Sequence, residues 1–335
     1  MRILAVLLLL GLARPVAAEE IKIALVRTVA SGPVFIARER GYFAAEGFQV
    51  TLVPFEAAQP VAVAVVTGNC DFGVSALTAG FYALAGQGEL RLIAGEARAV
   101  PSYRTIAYLA SNRAFAAGLQ VPGNLAGHSL GITQIGAPGH YALGLLAEKY
   151  RFDLKSVRLV PLSSFPNIVT ALAGNEIDAG MLAATPAIAA VERGAAKLLG
   201  WSGDETPWQA GGLFVTALTA NDRPDFVERF VRAYIRGARD YFAAFSAPDG
   251  TRRDGPGAEA ARAIIAKYTG EAPAEIARAI AYVDPDARFD AADILRQIAW
   301  YKAQGMLKPS IDGAALIDRR YVTPLKPNAA GYPER

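Results

Sequence analysis

The sequence predicts an α/β protein built as two similar lobes joined by a hinge of two crossover strands. Three observations carry this. One pattern occurs twice, as VAVAVVTGNCDFGVSALTAGFYALAGQG around Asp71 and as IVTALAGNEIDAGMLAATPAIAAVERGAA around Asp178, about 100 residues further on. Each copy is an apolar helical run ending at Gly-Asn, a short strand opened by Asp, a small-residue loop and a second apolar helix. Strand-type runs alternate with helix-type runs, the mark of a mostly parallel sheet. With 335 residues, 53% hydrophobic and 19% charged, the chain is globular and exceeds a single core.

Ile21 to Val26 reads as a first strand, and Ser31-Gly32-Pro33 opens a helix to about Arg40, with Pro33 suited to a first helical turn. Phe48 to Phe55 alternates and reads as a second strand; Val61 to Thr67 reads as helix by context, although its valines alone favour strand. Asp71 to Val74 is a third strand, followed by a helix to Gly86, and Leu90 to Gly95 a fourth strand. Tyr103 to Ala110 is the first crossover strand. The pattern then restarts, with strands at 129–133, 157–162, 177–182 and 196–200 and helices from 136 to about 150, 165–173 and 186–193. Leu213 to Ala220 is the return strand. Helices follow at 224–245, 257–268, 273–282, 291–305 and 312–321, with a polar turn at 247–257. They have no sheet of their own, so they are assigned back to the first lobe. The expected division is residues 19–110 with 213–335 for that lobe and 111–212 for the second.

Arg2, the apolar run Ile3 to Leu12 and the small residues Val16 and Ala18 form the pattern of a secretory signal peptide over residues 1–18, cleaved near Ala18. This predicts an exported, soluble, periplasmic protein. A net charge of +3 without long single-sign blocks gives no case for nucleic acid or an anionic membrane surface. Cys70 is the only cysteine, so no intramolecular disulfide can form. It reads as a buried small hydrophobe. No Walker loop, Gly-x-Gly-x-x-Gly, paired-cysteine metal site or Gly-x-Ser-x-Gly elbow is present. No cofactor, no metal and no catalytic residue are assigned, and the protein is expected not to be an enzyme.

Four helices start directly after strands, at Ser31-Gly32-Pro33, Ser75-Ala76, Gly136-Ala137-Pro138 and Thr185-Pro186. In such sheets these starts gather at the carboxyl edge and offer free N–H groups to anions. Ser31, Ser75 and Thr185 either face a ligand or cap their own helices. Ala137 is a poor cap, which leaves its helix start free, and Thr133 and Gln134 add donors beside it. His140 either points into the cleft or packs away from it. Asp71 and Asp178 open strands on the opposite edge, where local turn hydrogen bonding accounts for them better than a catalytic pair. Phe35, Tyr82, Tyr103, Trp201 and Trp208 are candidates for a pocket wall or for core, and Arg98 and Arg104 for salt partners of a bound acid.

The stretches GYFAAEGFQVTLVPF (41–55), VTGNCDFGVSA (66–76), LAGHSLGIT (125–133), ALAGNEIDAGMLAATPAIAAVERG (171–194), FVERFVRAYIRGARDY (226–241) and GMLKPSIDGAALIDRRYV (305–322) resemble the substrate-binding proteins of ABC transporters for nitrate, sulfonates and taurine, a group that includes thiamine-precursor binders. The resemblance implies a type II periplasmic-binding-protein fold, a small-molecule ligand between the lobes and docking on a membrane permease; the protein is expected to act as a monomer. By position it implies ligand contacts at Ser31, Gly32 and Phe35, at Ser75, Ala76 and Leu77, and at Thr133, Gln134, Gly136 and Ala137, to which His140 and Thr185 are added from the helix starts. Glu56 replaces the Ser and Thr of several members and disfavours simple inorganic anions. A small organic anion, sulfonate or carboxylate, is the expected ligand. A thiamine pyrimidine precursor or other neutral heterocycle is the alternative. An enzyme on the same fold, in pyrimidine or menaquinone biosynthesis, is the rival of another class, though one cysteine and an export signal argue against it.

Overall fold

A computed structural model describes residues 18–325, so the expected signal peptide, apart from Ala18, lies outside the described residues. Along the chain the strands are β1 (Glu19–Val26), β2 (Phe48–Phe55), β3 (Phe72–Ala76), β4 (Leu90–Gly95), β5 (Ala97–Ala99), β6 (Ile106–Ala110), β7 (Ser129–Ile132), β8 (Arg158–Pro161), β9 (Ala179–Ala183), β10 (Lys197–Trp201), β11 (Trp208–Gln209), β12 (Gly211–Thr216) and β13 (Tyr282–Val283). They form two five-stranded sheets, ordered β2-β1-β3-β12-β4 and β10-β6-β9-β7-β8, and a three-stranded sheet, β11-β5-β13. In the first sheet β1 to β3 are parallel and β12 is antiparallel to both β3 and β4. In the second, β7, β8 and β9 are parallel and β6 is antiparallel to β9 and β10.

The two five-stranded orders are the same: a parallel trio, then an antiparallel strand delivered from the other lobe, then an edge. The first crossover strand, β6, therefore belongs to the second sheet and not to the first lobe, where a boundary at residue 110 would put it. The apolar IAYLA run needs partners on both sides, and β9 and β10 supply them. The short sheet β11-β5-β13 occupies the crossing itself. Both prolines within long parallel ladders, Pro54 in β2 and Pro161 in β8, lie on edge strands, where a missing N–H costs no ladder bond.

The doubled Asp has a function in the scaffold that turn chemistry alone does not describe. Asp71 Oδ2 accepts from the Lys22 N–H at 2.7 Å, and Asp178 Oδ2 accepts from the Ser129 N–H at 2.9 Å and its hydroxyl at 2.8 Å. Each bond spans 49 residues and ties one parallel strand to the start of its neighbour. Against the burial that would raise it, the Ser129 donors hold the Asp178 carboxyl below its ordinary range. Asp178→Ala should cost about 2 kcal/mol in urea denaturation, since two bonds to a charged acceptor are lost. A cost below about 0.5 kcal/mol would show the tie to be idle.

Of the later helices, Pro224–Phe245 and Ala258–Thr269 pack on the helix Gly32–Glu39, while Pro273–Arg278 touches Ala184–Glu192 and Ala291–Ala303 touches Pro138–Tyr150. The helix Pro224–Phe245 buries a stripe that includes Phe226, Phe230, Tyr234 and Tyr241, with Phe230 stacked on Phe72 of β3 at 3.6 Å between ring centroids. Gly237 lets it approach the helix Gly32–Glu39, because a Cβ there would lie 2.2 Å from the Pro33 carbonyl oxygen. Ala58–Val66 is helical despite its valines. Three expected boundaries fail. Residues 217–222 turn into a helix because Thr216 accepts from the Thr219 N–H as a cap. The helix begun at Pro273 ends at Arg278, and Tyr282 joins β13. Only a 3-10 turn, Ala314–Leu316, forms in 312–321, where Ile317 bridges to Leu92. No helix among the described residues is long and apolar enough to cross a membrane.

Candidate functional site

The parallel strands of the two large sheets end on one cleft of about 480 Å³. One wall is the segment 27–30 after β1, the segment 55–58 at the end of β2 and Ser75-Ala76 at the end of β3. The facing wall is Ile132-Thr133, Ala137 to Gly139, Phe165-Pro166 and Met181 to Pro186. Glu96, Ala97, Arg104 and Trp208 close the hinge side, and Thr269 and Glu271 the opposite side.

Three helices start on this cleft with no side-chain cap, Ala58–Val66, Pro138–Tyr150 and Ala184–Glu192; a fourth uncapped start, Gly32–Glu39, lies behind the wall segment 27–30. Their N-cap residues are Ser31, Ala57, Ala137 and Ala183. The three starts on the cleft leave backbone N–H groups and partial positive charge toward it. A fifth, Phe165–Ala173, is closed by Ser164, which accepts from the Asn167 N–H. All five carry a proline within three residues of their start, which fixes the turn but removes one donor from each.

The side chains around these starts are mixed in charge. Arg27 is exposed on the cleft and has no hydrogen-bond or ion-pair partner among the described residues. Arg104 is paired with Asp204 at 2.8 Å and lies over Trp201. Glu96 is buried in the cleft wall, 5% exposed, and burial pushes its carboxyl up to about 7, against the Ser31 hydroxyl, which favours the ionised form. Ser31 Oγ lies 2.9 Å from the Val26 carbonyl and 3.1 Å from Glu96 Oε1. With one proton it serves Glu96 when that group is ionised, and Val26 when Glu96 is protonated and donates in turn. Across the cleft Thr185 Oγ1 donates to Glu271 Oε2 at 3.1 Å, and burial raises Glu271 as well. Arg278 pairs with Glu192 nearby, so the lobes touch on that side.

Of the residues expected at a ligand, Ser75, Ala76, Thr133, Ala137 and Thr185 line the cleft. Ser31 reaches it only through Glu96. Gly32, Phe35 and Leu77 face the core instead: a Cβ on Gly32 would lie 2.7 Å from Tyr241, Phe35 stacks on Tyr268 and Leu77 is fully buried. Gln134 and Gly136 join the lobes to each other, through Gln134 Nε2 donating to Gln59 Oε1 and the Gly136 carbonyl accepting from the Ala79 N–H. His140 packs edge-on against Trp300, accepts from the Gly136 N–H through Nδ1 and is pushed by burial down to about 4. Among the aromatic and arginine candidates, Trp208 and Arg104 line the cleft and the others do not. Sequence reasoning missed Arg27, Glu96 and Glu271 as wall residues. Glu96 had a signal, a lone acid in the apolar run LIAGEARA; Glu271, in a helix-to-helix turn, had none. Cys70 is buried away from the cleft, and burial raises its thiol.

The model of the family described as NMT1/THI5 like matches residues 29–249. No curated protein matches the chain. Among solved structures, the alkanesulfonate-binding protein SsuA from Xanthomonas axonopodis pv. citri, bound to MOPS, is 19% identical with a TM-score of 0.70, over 90% of this chain and 99% of that one. The periplasmic nitrate-binding protein NrtA from Synechocystis PCC 6803 is 13% identical with a TM-score of 0.72, over 89% and 85%. A DszB mutant in complex with biphenyl-2-sulfinic acid is 14% identical with a TM-score of 0.58, over 91% and 97%. The chain has the periplasmic-binding-protein fold that its sequence predicts.

Proposed function

Starting from a chain that belongs to the NMT1/THI5-like family, we propose that it is the periplasmic solute-binding component of an ABC importer. It captures a small organic anion, sulfonate or carboxylate, between its lobes and delivers it to a membrane permease. The observation that carries this reading is the set of three uncapped helix starts, at Ala58, Pro138 and Ala184, facing one cleft from both lobes. They hold an acid group by N–H donors and dipole, with Arg27 as the free cation of the wall. Phe165, Met181 and Trp208 supply an apolar surface for the organic part. Export as a soluble monomer fits this role, and neither a cysteine nor a histidine lines the cleft among the described residues.

A second reading, a neutral heterocycle bearing N–H groups, is favoured by one observation: the buried Glu96 carboxyl in the wall, able to accept or donate near neutral pH. A thermal-shift panel of sulfonates, carboxylates, nitrate and aminopyrimidines separates the two. A ligand at a hundred times its dissociation constant adds about 2.7 kcal/mol. Shifts only with neutral or cationic compounds would overturn the anion reading. For an anionic hit, Ala137→Asp should weaken binding at least tenfold, because it sets a carboxylate at an uncapped helix start; unchanged affinity would remove that start from the site.

A further inference from the structure

A second, smaller cavity of about 50 Å³ lies at the hinge, apart from the solute cleft. It is lined by Val100 to Tyr103 on the crossing between the lobes, by Gly250 to Arg252 on the turn after Pro224–Phe245, and by Arg98 and Tyr282. The lining contains two arginines and no carboxylate. Arg98 is 4% exposed, and its Nε is buried with no hydrogen-bond partner among the described residues. Its guanidinium carbon sits 5.7 Å from the Tyr282 ring centroid.

A buried guanidinium ordinarily has a counter-ion, because removing it from water unpaired costs several kcal/mol. The carboxylates whose charge reaches Arg98 are Asp290, Asp284 and Asp293, and each is committed elsewhere. Asp284 is held by Arg288 at 2.9 Å, Asp293 by Arg296 at 2.6 Å, and Asp290 caps a helix by accepting from the Asp293 N–H at 2.9 Å. Burial lowers the Arg98 pKa, so the site as built does not fully compensate its charge. Arg252 has its own acid, Asp254 at 2.7 Å, and donates to the Phe245 and Ala277 carbonyls. It contributes field to the cavity without neutralising Arg98.

We propose that the hinge cavity is a binding site for one small monovalent inorganic anion, of chloride or nitrate size, held by Arg98 with Arg252 and the Ser102 hydroxyl around it; the Thr251 hydroxyl is already given to Asp249, at 2.8 Å. The volume takes an ion and its nearest waters and excludes an organic solute. The anion completes the charge balance of the crossing from Glu96 to Thr105 and stiffens it against the turn 250–252 that belongs to the first lobe.

Bromide is the direct probe. Diffraction from crystals grown in sodium bromide should give an anomalous peak within about 4 Å of the Arg98 guanidinium, a hydrogen-bonded ion contact. In solution, without any solute, replacing sodium gluconate by sodium chloride at equal ionic strength should raise the melting temperature by roughly 2–4 °C. Arg98→Met keeps the apolar stem and should lose that increment. Absence of bromide from the cavity, or an unchanged chloride increment in a folded Arg98→Met, overturns the proposal. If that variant does not fold, the bromide map of the native protein decides alone. Because no organic ligand enters the test, its failure leaves the solute-binding reading standing.

Discussion

Asp293→Ala should remove about 3–5 kcal/mol of stability, measured by urea denaturation. Asp293 is buried and serves as acceptor for four groups: Tyr141 Oη at 2.9 Å, Arg296 Nη2 at 2.6 Å, the Gln209 N–H at 2.7 Å and Gln297 Nε2 at 2.9 Å. Tyr141 is on the second-lobe helix Pro138–Tyr150, Gln209 on the hinge strand β11 and the other two on the helix Ala291–Ala303. Truncation leaves three buried donors, the Tyr141 hydroxyl, the Gln209 N–H and one Gln297 amide N–H, unmatched at the point where both lobes and hinge meet, and frees the exposed Arg296 guanidinium. Asp293→Asn should recover only part, since its amide NH₂ replaces one of the two accepting oxygens. A loss below about 1 kcal/mol for the alanine variant would mean that water replaces the carboxylate there.

Glu96→Gln should change the pH dependence of stability by about 3 kcal/mol between pH 4.5 and 7. The native Glu96 carboxyl titrates at about 7 against an ordinary 4.5. The folded state therefore keeps a proton that the unfolded chain releases, and stability falls as pH rises through that window. His140 acts in the opposite sense. Its imidazole is held down to about 4 against 6.5, so the unfolded chain takes a proton that the fold refuses, and stability falls as pH drops from 6.5 to 4. In the native protein the two slopes oppose between about pH 4.5 and 6.5. Removing Glu96 exposes the histidine slope, and stability then rises with pH to about 6.5 and holds above it. Urea midpoints from pH 4.5 to 8.5 for both proteins give the difference curve. It should climb to pH 7 and flatten; a flat difference throughout would place Glu96 in contact with water.

Particular residues show how far the sequence could be read. FQVTLVPF alternates, and β2 has its expected bounds, Phe48–Phe55; the FPNIVTALA helix, Phe165–Ala173, is equally well placed. Local pattern found the starts at Pro138 and Ala184 on the cleft, missed the one at Ala58, and put another at Ser75-Ala76, which instead ends β3; the helix there begins at Ala79 under a Thr78 cap. It misjudged the direction of side chains one turn further in. Phe35 and His140 follow the right loops, yet each belongs to the helix face that packs on another layer. The same limit applies to Tyr103–Ala110. Its apolar run announces a strand, but which sheet receives it is a matter of partners distant in sequence. Glu96 and Arg98 illustrate the remaining gap: two positions apart in one run, with one on the solute cleft and the other on the hinge cavity.

The position of β12 has a consequence for how the polypeptide reaches its final state. In the first sheet β4 has β12 as its sole strand neighbour among the described residues, and β12 is residues 211–216. All five strands of the second sheet lie between residues 106 and 201. A growing chain can thus complete its second sheet while the first is still a parallel trio with β4 detached and an open edge at β3. The N-terminal lobe is the last to be sealed, and a chain interrupted before residue 211 carries an unpaired, apolar seam available to other chains.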